Sequence, residues 1–309
     1  MTDDAGFGEL QETWKRLAER MAGQSWPEGC LYVVATPIGN LGDLGLRAWQ
    51  TLLRCDAIAA EDTRTSRALL DAWGVRTPLM AAHRHNENEA AQAIIQRLAR
   101  GERIALVSDA GAPAISDPGA RIVRQVLEAG YRVVPIPGPS AVIAALMASG
   151  ATSDEAPGYA FAGFPPARAM ARRKWLQSWG RLDVPVVMFE SPHRLRACID
   201  DLAAACGADR RLTVARELSK RFEQIHTVTI GDAPGWLGED PHRGQGEFVL
   251  ILHPAPAPAG GDPEAALAPE HVRLMEALLE DLSVRDAARI GAKATGVPRD
   301  ALYAWALRR

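Results

Sequence analysis

Residues 31–44 read LYVVATPIGNLGDL. The first five are apolar and include two β-branched valines, the make-up of a short strand buried on both faces. TPIGN (36–40) ends the run. Pro37 fixes one backbone angle, and Gly39 allows positive φ and close approach of the backbone to a ligand. A helical stretch follows at 46–53. Strand, Gly/Pro loop and helix form the unit from which parallel sheets with helices on their faces are built.

The unit recurs along the chain. AIAA (57–60) runs into Glu61-Asp62-Thr63-Arg64 and a helix through Trp73, and 79–82 is a further short strand. HRHNENE (83–89) leads into a helix over 89–100. The strand at 104–107 enters SDAGAPAISDPG (108–119) and a helix over 120–129; the strand at 132–136 enters PGPSAVIAALMASG (137–150). Residues 149–158 have the Gly/Ser/Pro/Asp character of a connection. A second α/β unit follows, with strands expected at 159–163, 185–189, 212–215, 225–230 and 247–253, and helices at 167–179 and 195–205.

Around these units lie two smaller segments. Leu10, Trp14, Leu17 and Met21 have helical spacing and predict an N-terminal helix that packs on the body or frays. PAPAPAGGDP (254–263) has linker composition, and only helices are expected beyond it. Ser283-Val284-Arg285-Asp286 reads as a capping box, and Gly296-Val297-Pro298 as a turn between helices. The expected organisation is an extension (1–28), an N-terminal α/β lobe (29–148), a C-terminal α/β lobe (149–253), a linker (254–264) and a helix-turn-helix-like domain (265–309).

The chain has 309 residues, 47% of them hydrophobic and 24% charged, with a formal net charge of −3. That charge excludes a generally basic nucleic-acid binder, so any RNA contact needs a local patch. The four cysteines (Cys30, Cys55, Cys198, Cys206) form no CxxC or Cys/His cluster, so neither a metal site nor a disulfide framework is expected. The acidic start, MTDDAGFGEL, lacks the features of a signal peptide, and no run approaches the roughly 18 apolar residues of a membrane span. A cytoplasmic protein is expected.

In an open parallel sheet, ligands bind beyond the carboxyl ends of the strands. TPIGN, EDTR (61–64), SDAGAP (108–113) and PGPS (137–140) all occupy such positions. No G-x-G-x-x-G follows the first strand, no G-x-x-x-x-G-K-[ST] occurs, and the E/D-x-G-x-G-x-G signature of Rossmann-like methyltransferases is missing. The common nucleotide folds are therefore not indicated.

Eight motifs occur in order: TPIGNLGD, AEDTR, HxHNE (83–87), LVSDAGAPAISDPG, PIPGPSA, FxGFPP (161–166), FESPHRL (189–195) and ARELSK (215–220). Together they resemble the ribosomal RNA small subunit methyltransferase I family, a branch of the tetrapyrrole-methylase-like class III methyltransferases. The resemblance implies a two-lobed α/β fold, S-adenosylmethionine held between the lobes, a homodimer, and methylation of a cytidine 2′-hydroxyl in the decoding region of 16S rRNA. Matched motif by motif, it places cofactor contacts on Pro37, Ile38, Gly39, Asp109, Ala110, Gly111, Ser140, Ala141, Phe189 and Glu190. Two positions depart from the pattern. Ala112 stands where the family more often has threonine, and Phe189 where tyrosine is usual; neither change removes a charge.

Methyl transfer to a ribose hydroxyl needs an in-line alignment and a group to take the proton. Glu61, Asp62, His85, Asp109 and Glu190 are the candidates at the ligand edge, with Asp109 favoured. Bland roles compete with these. Asp62 can cap the following helix, as can Asn86; His83 and His85 read as surface-loop histidines; Asp117, before Pro118-Gly119, reads as a turn former. For RNA, the basic residues Arg168, Arg172, Arg173 and Lys174 beside Trp175, with Arg194, Arg216 and Lys220, suggest a phosphate-binding patch on the second lobe. Residues 282–309, with six Lys/Arg against two Asp/Glu, offer another surface for RNA or a partner subunit. The competing readings are a tetrapyrrole methylase of the same fold, acting on a corrin or sirohaem precursor, and a non-catalytic RNA-binding assembly factor.

Overall fold

The computed structural model describes residues 4–255, 267 and 269–307. The chain divides into two packed units, Met1–Pro254 and Ala255–Arg309. Beyond Ala255, the segment expected as a linker lies outside the described residues.

The first sheet contains β1 (Cys30–Val34), β2 (Ala57–Ala60), β3 (Leu79–Ala81), β4 (Ile104–Val107) and β5 (Arg132–Ile136). Its order is β3-β2-β4-β1-β5, and every pairing is parallel. Strand alternation sorts the side chains between two cores. Tyr32 and Val34 point to one face, where they meet Ala48 and Leu52 of α2 (Leu46–Arg54) and Leu70 of α3 (Thr63–Ala72). Leu31 points to the other, against Ala91 and Ile94 of α4 (Glu87–Leu98) and Ile122 and Val126 of α5 (Ala120–Glu128). From β1 the chain leaves toward β2; from β4 it leaves in the opposite direction, toward β5. The carboxyl ends of β1 and β4 are therefore adjacent at a switch point, where open α/β sheets bind ligands.

Before this sheet, α1 (Asp4–Ala22) is longer than its periodicity predicts. It meets the body through Gln50, whose Nε2 donates to the Ala18 carbonyl at 3.2 Å. Trp14 and Leu17 on the same helix remain exposed.

The second sheet differs in pattern from the first. β6 (Ala160–Gly163), β7 (Val186–Glu190), β8 (Arg211–Arg216), β9 (Gln224–Thr229) and β10 (Phe248–Leu252) take the order β6-β7-β10-β8-β9. Only β6 and β7 are parallel; the other pairs are antiparallel. One face packs on α7 (Ala169–Trp179), α8 (Pro192–Cys206) and the short α9 (Ala233–Gly238), which the sequence reading did not anticipate. α8 begins three residues before the expected start, with Pro192 in its first turn, where proline lacks only an unneeded N–H.

The other face of this sheet is covered by α6 (Ala141–Ser149), the helix that leaves the PGPS loop of the first sheet. Val142, Ala145 and Leu146 pack against Val187, Ala215, Val249 and Ile251. Because α6 is rooted at the carboxyl edge of one sheet and buried on the other, it fixes how the two sheets meet.

In the second unit, α10 (Pro269–Asp281), α11 (Val284–Thr295) and α12 (Arg299–Leu307) bury Met275, Ala287, Ala288 and Leu302. The Ser283 hydroxyl accepts from the Asp286 N–H at 3.2 Å, the N-terminal cap expected from sequence. A Cβ at Gly291 would fall 2.7 Å from Met275 Sδ, so α10 and α11 pack closely at this glycine and a larger residue would displace the Met275 side chain. Among the described residues, no helix is long and apolar enough to cross a membrane.

Candidate active site

TPIGN and SDAGAP are bonded to one another. The Thr36 N–H donates to the Gly111 carbonyl at 2.9 Å, and the Gly111 N–H returns to the Thr36 carbonyl at 3.0 Å. The fully buried Thr36 hydroxyl adds a 3.2 Å bond to the Ser108 carbonyl. Gly111 has φ +77°, a conformation that glycine adopts without cost. PGPS approaches from the next strand: a Cβ on Gly138 would meet Ala35 at 3.0 Å.

A cavity of about 450 Å³ opens where these loops face the second sheet. Ile38, Ala110, Gly111, Ser140 and Ala141 are among the residues on the side of the first sheet. Phe164, Phe189, Leu218 and Phe248 are among the residues of the opposite wall. Phe189 sits at the centre of an aromatic group, edge-on to Phe161 (5.0 Å) and Phe164 (5.4 Å). Such edge-to-face pairs hold ring orientation as well as excluding water. Charge on the wall has one sign. Asp117, Glu190 and Glu247 line it, and its described lining contains no lysine or arginine.

The two carboxylates on the side of the second sheet are compensated by cations. Glu190 is 3% exposed; its Oε1 accepts from the Ser191 N–H at 2.8 Å, and Arg194 Nη2 lies 3.2 Å from Oε2. That contact is an ion pair without hydrogen-bond alignment, so Oε2 keeps an unfilled acceptor position. Glu247 is paired with Lys220 Nζ at 2.7 Å, and Lys220 also reaches Glu217 at 3.0 Å. The Lys220 stem lies across Gly39, where a Cβ would approach it to 2.5 Å. Ser219 reaches Asp43 beside it, so ARELSK clasps the TPIGN loop.

Asp117 differs from both. Burial first, then the nearby carboxylates of Glu61 and Asp109, push its pKa up to about 6, against opposing contributions from Ser108 and Arg84. Two residues just before it, Ala114 (φ 68°) and Ser116 (φ 66°), hold the left-handed conformation that costs most side chains energy. Just after it, the Gly119 N–H donates to Glu87 Oε1 at 2.8 Å. The segment is locked, not a loose turn.

Seven of the ten residues expected at the cofactor line the cavity: Ile38, Ala110, Gly111, Ser140, Ala141, Phe189 and Glu190. Pro37, Gly39 and Asp109 belong to the same loops but are not among the lining residues; Pro37 is buried, and Gly39 and Asp109 are exposed. Asp109 Oδ1 accepts from the Asp62 N–H at 3.0 Å and joins EDTR to SDAGAP. Glu61 is pushed up by burial and by Asp109, within the same acidic group. Asp62 fills the capping role, its Oδ1 accepting from the Arg64 N–H at 2.8 Å. His85 is exposed in its loop, with its ring 6.1 Å from that of His83. Asn86 ties that loop by accepting from His83 and donating to Ala81, without a side-chain bond to the helix it precedes. The sequence reading missed Phe164, Leu218, Glu247 and Phe248 as wall residues and took Asp117 for a turn former. Phe164, Asp117 and Leu218 lie inside three of the eight motifs, which was the available signal.

The basic cluster is rearranged by packing. Arg172 is 5% exposed and bonds Asp201 at 2.7 Å; Arg216 is 6% exposed and donates to the carbonyls of Gln245 and Phe222. Both are turned inward, because an unpaired buried carboxylate or carbonyl would be costly. Arg194 and Lys220 serve Glu190 and the Glu217–Glu247 pair. Arg173 shares Asp201 while remaining largely exposed. Arg168 and Lys174 stay on the surface.

An apolar cavity of this size, with acidic groups and the free first-turn N–H groups of α6, suits a small ligand that carries positive charge and a carboxylate. The carboxylate-lined wall would repel the polyphosphate of a dinucleotide. Residues 30–234 match the tetrapyrrole (corrin/porphyrin) methylases. Solved structures give the same fold: cobalt precorrin-4 methyltransferase, a cobalamin biosynthetic enzyme, aligns over 74% of this chain and 98% of its own with TM-score 0.54 at 16% identity. The methyltransferase CobJ aligns over 74% and 95% with TM-score 0.53 at 19% identity. The chain is thus a methyltransferase of the tetrapyrrole methylase class, with S-adenosylmethionine as its cofactor.

Sequence relatives narrow the class. Ribosomal RNA small subunit methyltransferase I of Haemophilus influenzae is 44% identical over 90% of this chain and 96% of its own length. The proteins of the same name from Xylella fastidiosa (45%, 89% and 98%) and Escherichia coli O157:H7 (42%, 91% and 96%) agree. Residues 265–309 match the RsmI C-terminal HTH domain. The chain belongs to the ribosomal RNA small subunit methyltransferase I family.

Proposed function

We propose that this protein methylates the ribose 2′-hydroxyl of a cytidine in the decoding region of 16S rRNA within the small ribosomal subunit. The observation that supports it best is the acid-walled cavity where TPIGN, SDAGAP and PGPS meet the end of β7, in a chain with full-length rRNA methyltransferase relatives. S-adenosylmethionine, when bound, supplies an electrophilic methyl on a sulfonium centre.

The residues of the chain do the rest. The Gly111 and Ala110 backbone and the start of α6 at Ser140 and Ala141 offer polar groups for orienting the cofactor, which is where much of the rate of an in-line transfer arises. Phe189 and Phe164 exclude water from one side. Glu190, with its unfilled Oε2 position, adds negative charge matched to a cationic ligand. Arg168, Arg173 and Lys174 offer phosphate contacts, and residues 265–309 a further RNA or subunit surface. We read residues 29–148 and 149–253 as the two lobes of one catalytic body, and the working form as a cytoplasmic homodimer.

The test is competition between acceptors. Small subunits lacking the modification, protein-free rRNA and a sirohaem precursor are each incubated with the protein and methyl-labelled cofactor. Label in the small subunit supports the proposal; label in the tetrapyrrole overturns it.

A further inference from the structure

We propose that Asp117 is the catalytic carboxylate that takes the proton from the acceptor hydroxyl. The proposal rests on the reading of the site as a methyltransferase acting on a hydroxyl, and adds a role to a residue outside the cofactor set.

Geometry separates Asp117 from its neighbours. Of the three carboxylates on the cavity wall, Glu190 has Arg194 at 3.2 Å and Glu247 has Lys220 at 2.7 Å. The negative charge of each of these two is already matched by a cation at its side, which leaves less of it for a second partner. Among the described residues, Asp117 has no ion-pair partner of that kind. The groups facing it are the carboxylates of Glu61, at the end of β2, and Asp109, at the end of β4, with Arg84 and the Ser108 hydroxyl. Two negative neighbours and partial burial favour proton uptake; Arg84 and Ser108 keep the ionised form accessible near neutrality. A base poised close to working pH is the arrangement general-base catalysis requires.

Glu61 and Asp109 belong to the same group of carboxylates but do not line the cavity, and Asp109 is already engaged by the Asp62 N–H. Asp117 is also the carboxylate held by strain. Left-handed Ala114 and Ser116 precede it, and the Gly119–Glu87 bond follows it. Such outliers persist where surrounding structure fixes a functional group.

The step balances. The acceptor O–H bond breaks with its proton going to Asp117, the oxygen electron pair forms the bond to the methyl carbon, and the carbon–sulfur pair leaves with sulfur. One negative carboxylate becomes neutral as one positive sulfonium becomes a neutral thioether.

The full-length protein, Asp117→Asn and Asp117→Glu are compared on small subunits in single turnover across pH. Binding of S-adenosylhomocysteine is measured by calorimetry, and aspartate carboxyl resonances are titrated in the ligand-free protein. The expected rate falls about 100-fold or more in Asp117→Asn, while Asp117→Glu stays within about tenfold of the parent. Product affinity changes less than about threefold in both, which shows that they fold. The parent rate rises with pH through an inflection near 6, absent in Asp117→Asn, and one carboxyl resonance titrating in that range disappears in the same variant. An Asp117→Asn protein that keeps the parent rate, or keeps the inflection, overturns the assignment alone. A parent protein that binds product but methylates no hydroxyl acceptor overturns the reading beneath it.

Discussion

Thr36 and Gly111 exchange backbone hydrogen bonds in both directions, at 2.9 and 3.0 Å, across the ends of two neighbouring parallel strands. This pair joins the loop after β1 to the loop after β4, so neither can move without the other. Gly111 at the same time forms part of the cavity wall, with the left-handed φ that lets the turn close. Loop geometry and ligand wall are one structure here.

Gly111→Ala should therefore damage both. An alanine in the left-handed region costs about 1 kcal/mol, and its Cβ would also lie 3.4 Å from the Ile38 side chain. The expected result is a fall in melting temperature of about 2–4 °C and a roughly tenfold weaker affinity for S-adenosylmethionine. Calorimetric binding beside a melting curve checks it; unchanged affinity contradicts the role of this loop.

Phe189 holds two other aromatic rings, Phe161 and Phe164, at the other wall. Phe189→Ala should raise the cofactor dissociation constant roughly 10–100-fold, and Phe189→Tyr should leave it within about threefold. Equilibrium dialysis with labelled cofactor distinguishes them.

Arg172 and Arg168 lie four residues apart and should behave differently. Asp201 is buried, which opposes its ionisation, but hydrogen bonds from Arg173 and Arg172 outweigh that and hold its carboxyl below the usual range. Arg172→Ala should destabilise the fold by about 3 kcal/mol, since Arg173 keeps part of the pair. Because the folded value is lowered, Asp201 stabilises above its unfolded value of about 3.9, and that contribution is lost as pH falls through the folded value. Denaturant titrations at neutral and acid pH measure both effects.

Arg168→Ala with Lys174→Ala should leave stability nearly unchanged. Instead, the salt dependence of small-subunit binding should become shallower by about 1–2 phosphate equivalents. Binding measured at several salt concentrations decides; an unaltered slope places the phosphate contacts elsewhere.

Asp117 carries the opposite sign from Asp201. Its folded pKa is raised to about 6, so the native state loses stability as pH rises from the ordinary aspartate range through that value. Asp117→Asn should be more stable than the parent above that pH by about 1 kcal/mol, after allowance for solvent screening. Equal stabilities there would contradict the buried, acid-flanked placement of Asp117.

The first sheet was legible because each strand is short, apolar and followed by a Gly/Pro loop, and AIAA and 104–107 fall on β2 and β4 to the residue. The cavity wall was legible where a motif supplies backbone, as at Ala110, Gly111 and Ser140. The second sheet's antiparallel pairs were not, because strand direction depends on pairings distant in sequence. Arg172 and Arg216 looked like surface charge for the same reason: nothing local shows that Asp201, 29 residues on, or the carbonyl of Gln245 awaits them. Asp117 looked like a turn former because Pro118-Gly119 dominates a local reading. Its partial burial beside Glu61 and Asp109 exists only once the ends of β2 and β4 come together.

The most direct measurement is the position of the transferred methyl. Small subunits lacking the modification are labelled by this protein, and their 16S rRNA is digested and read at nucleotide resolution by mass spectrometry. The account predicts one labelled cytidine in the decoding region, with the added mass on its ribose. A label on a base, on another RNA or on no RNA at all would contradict it.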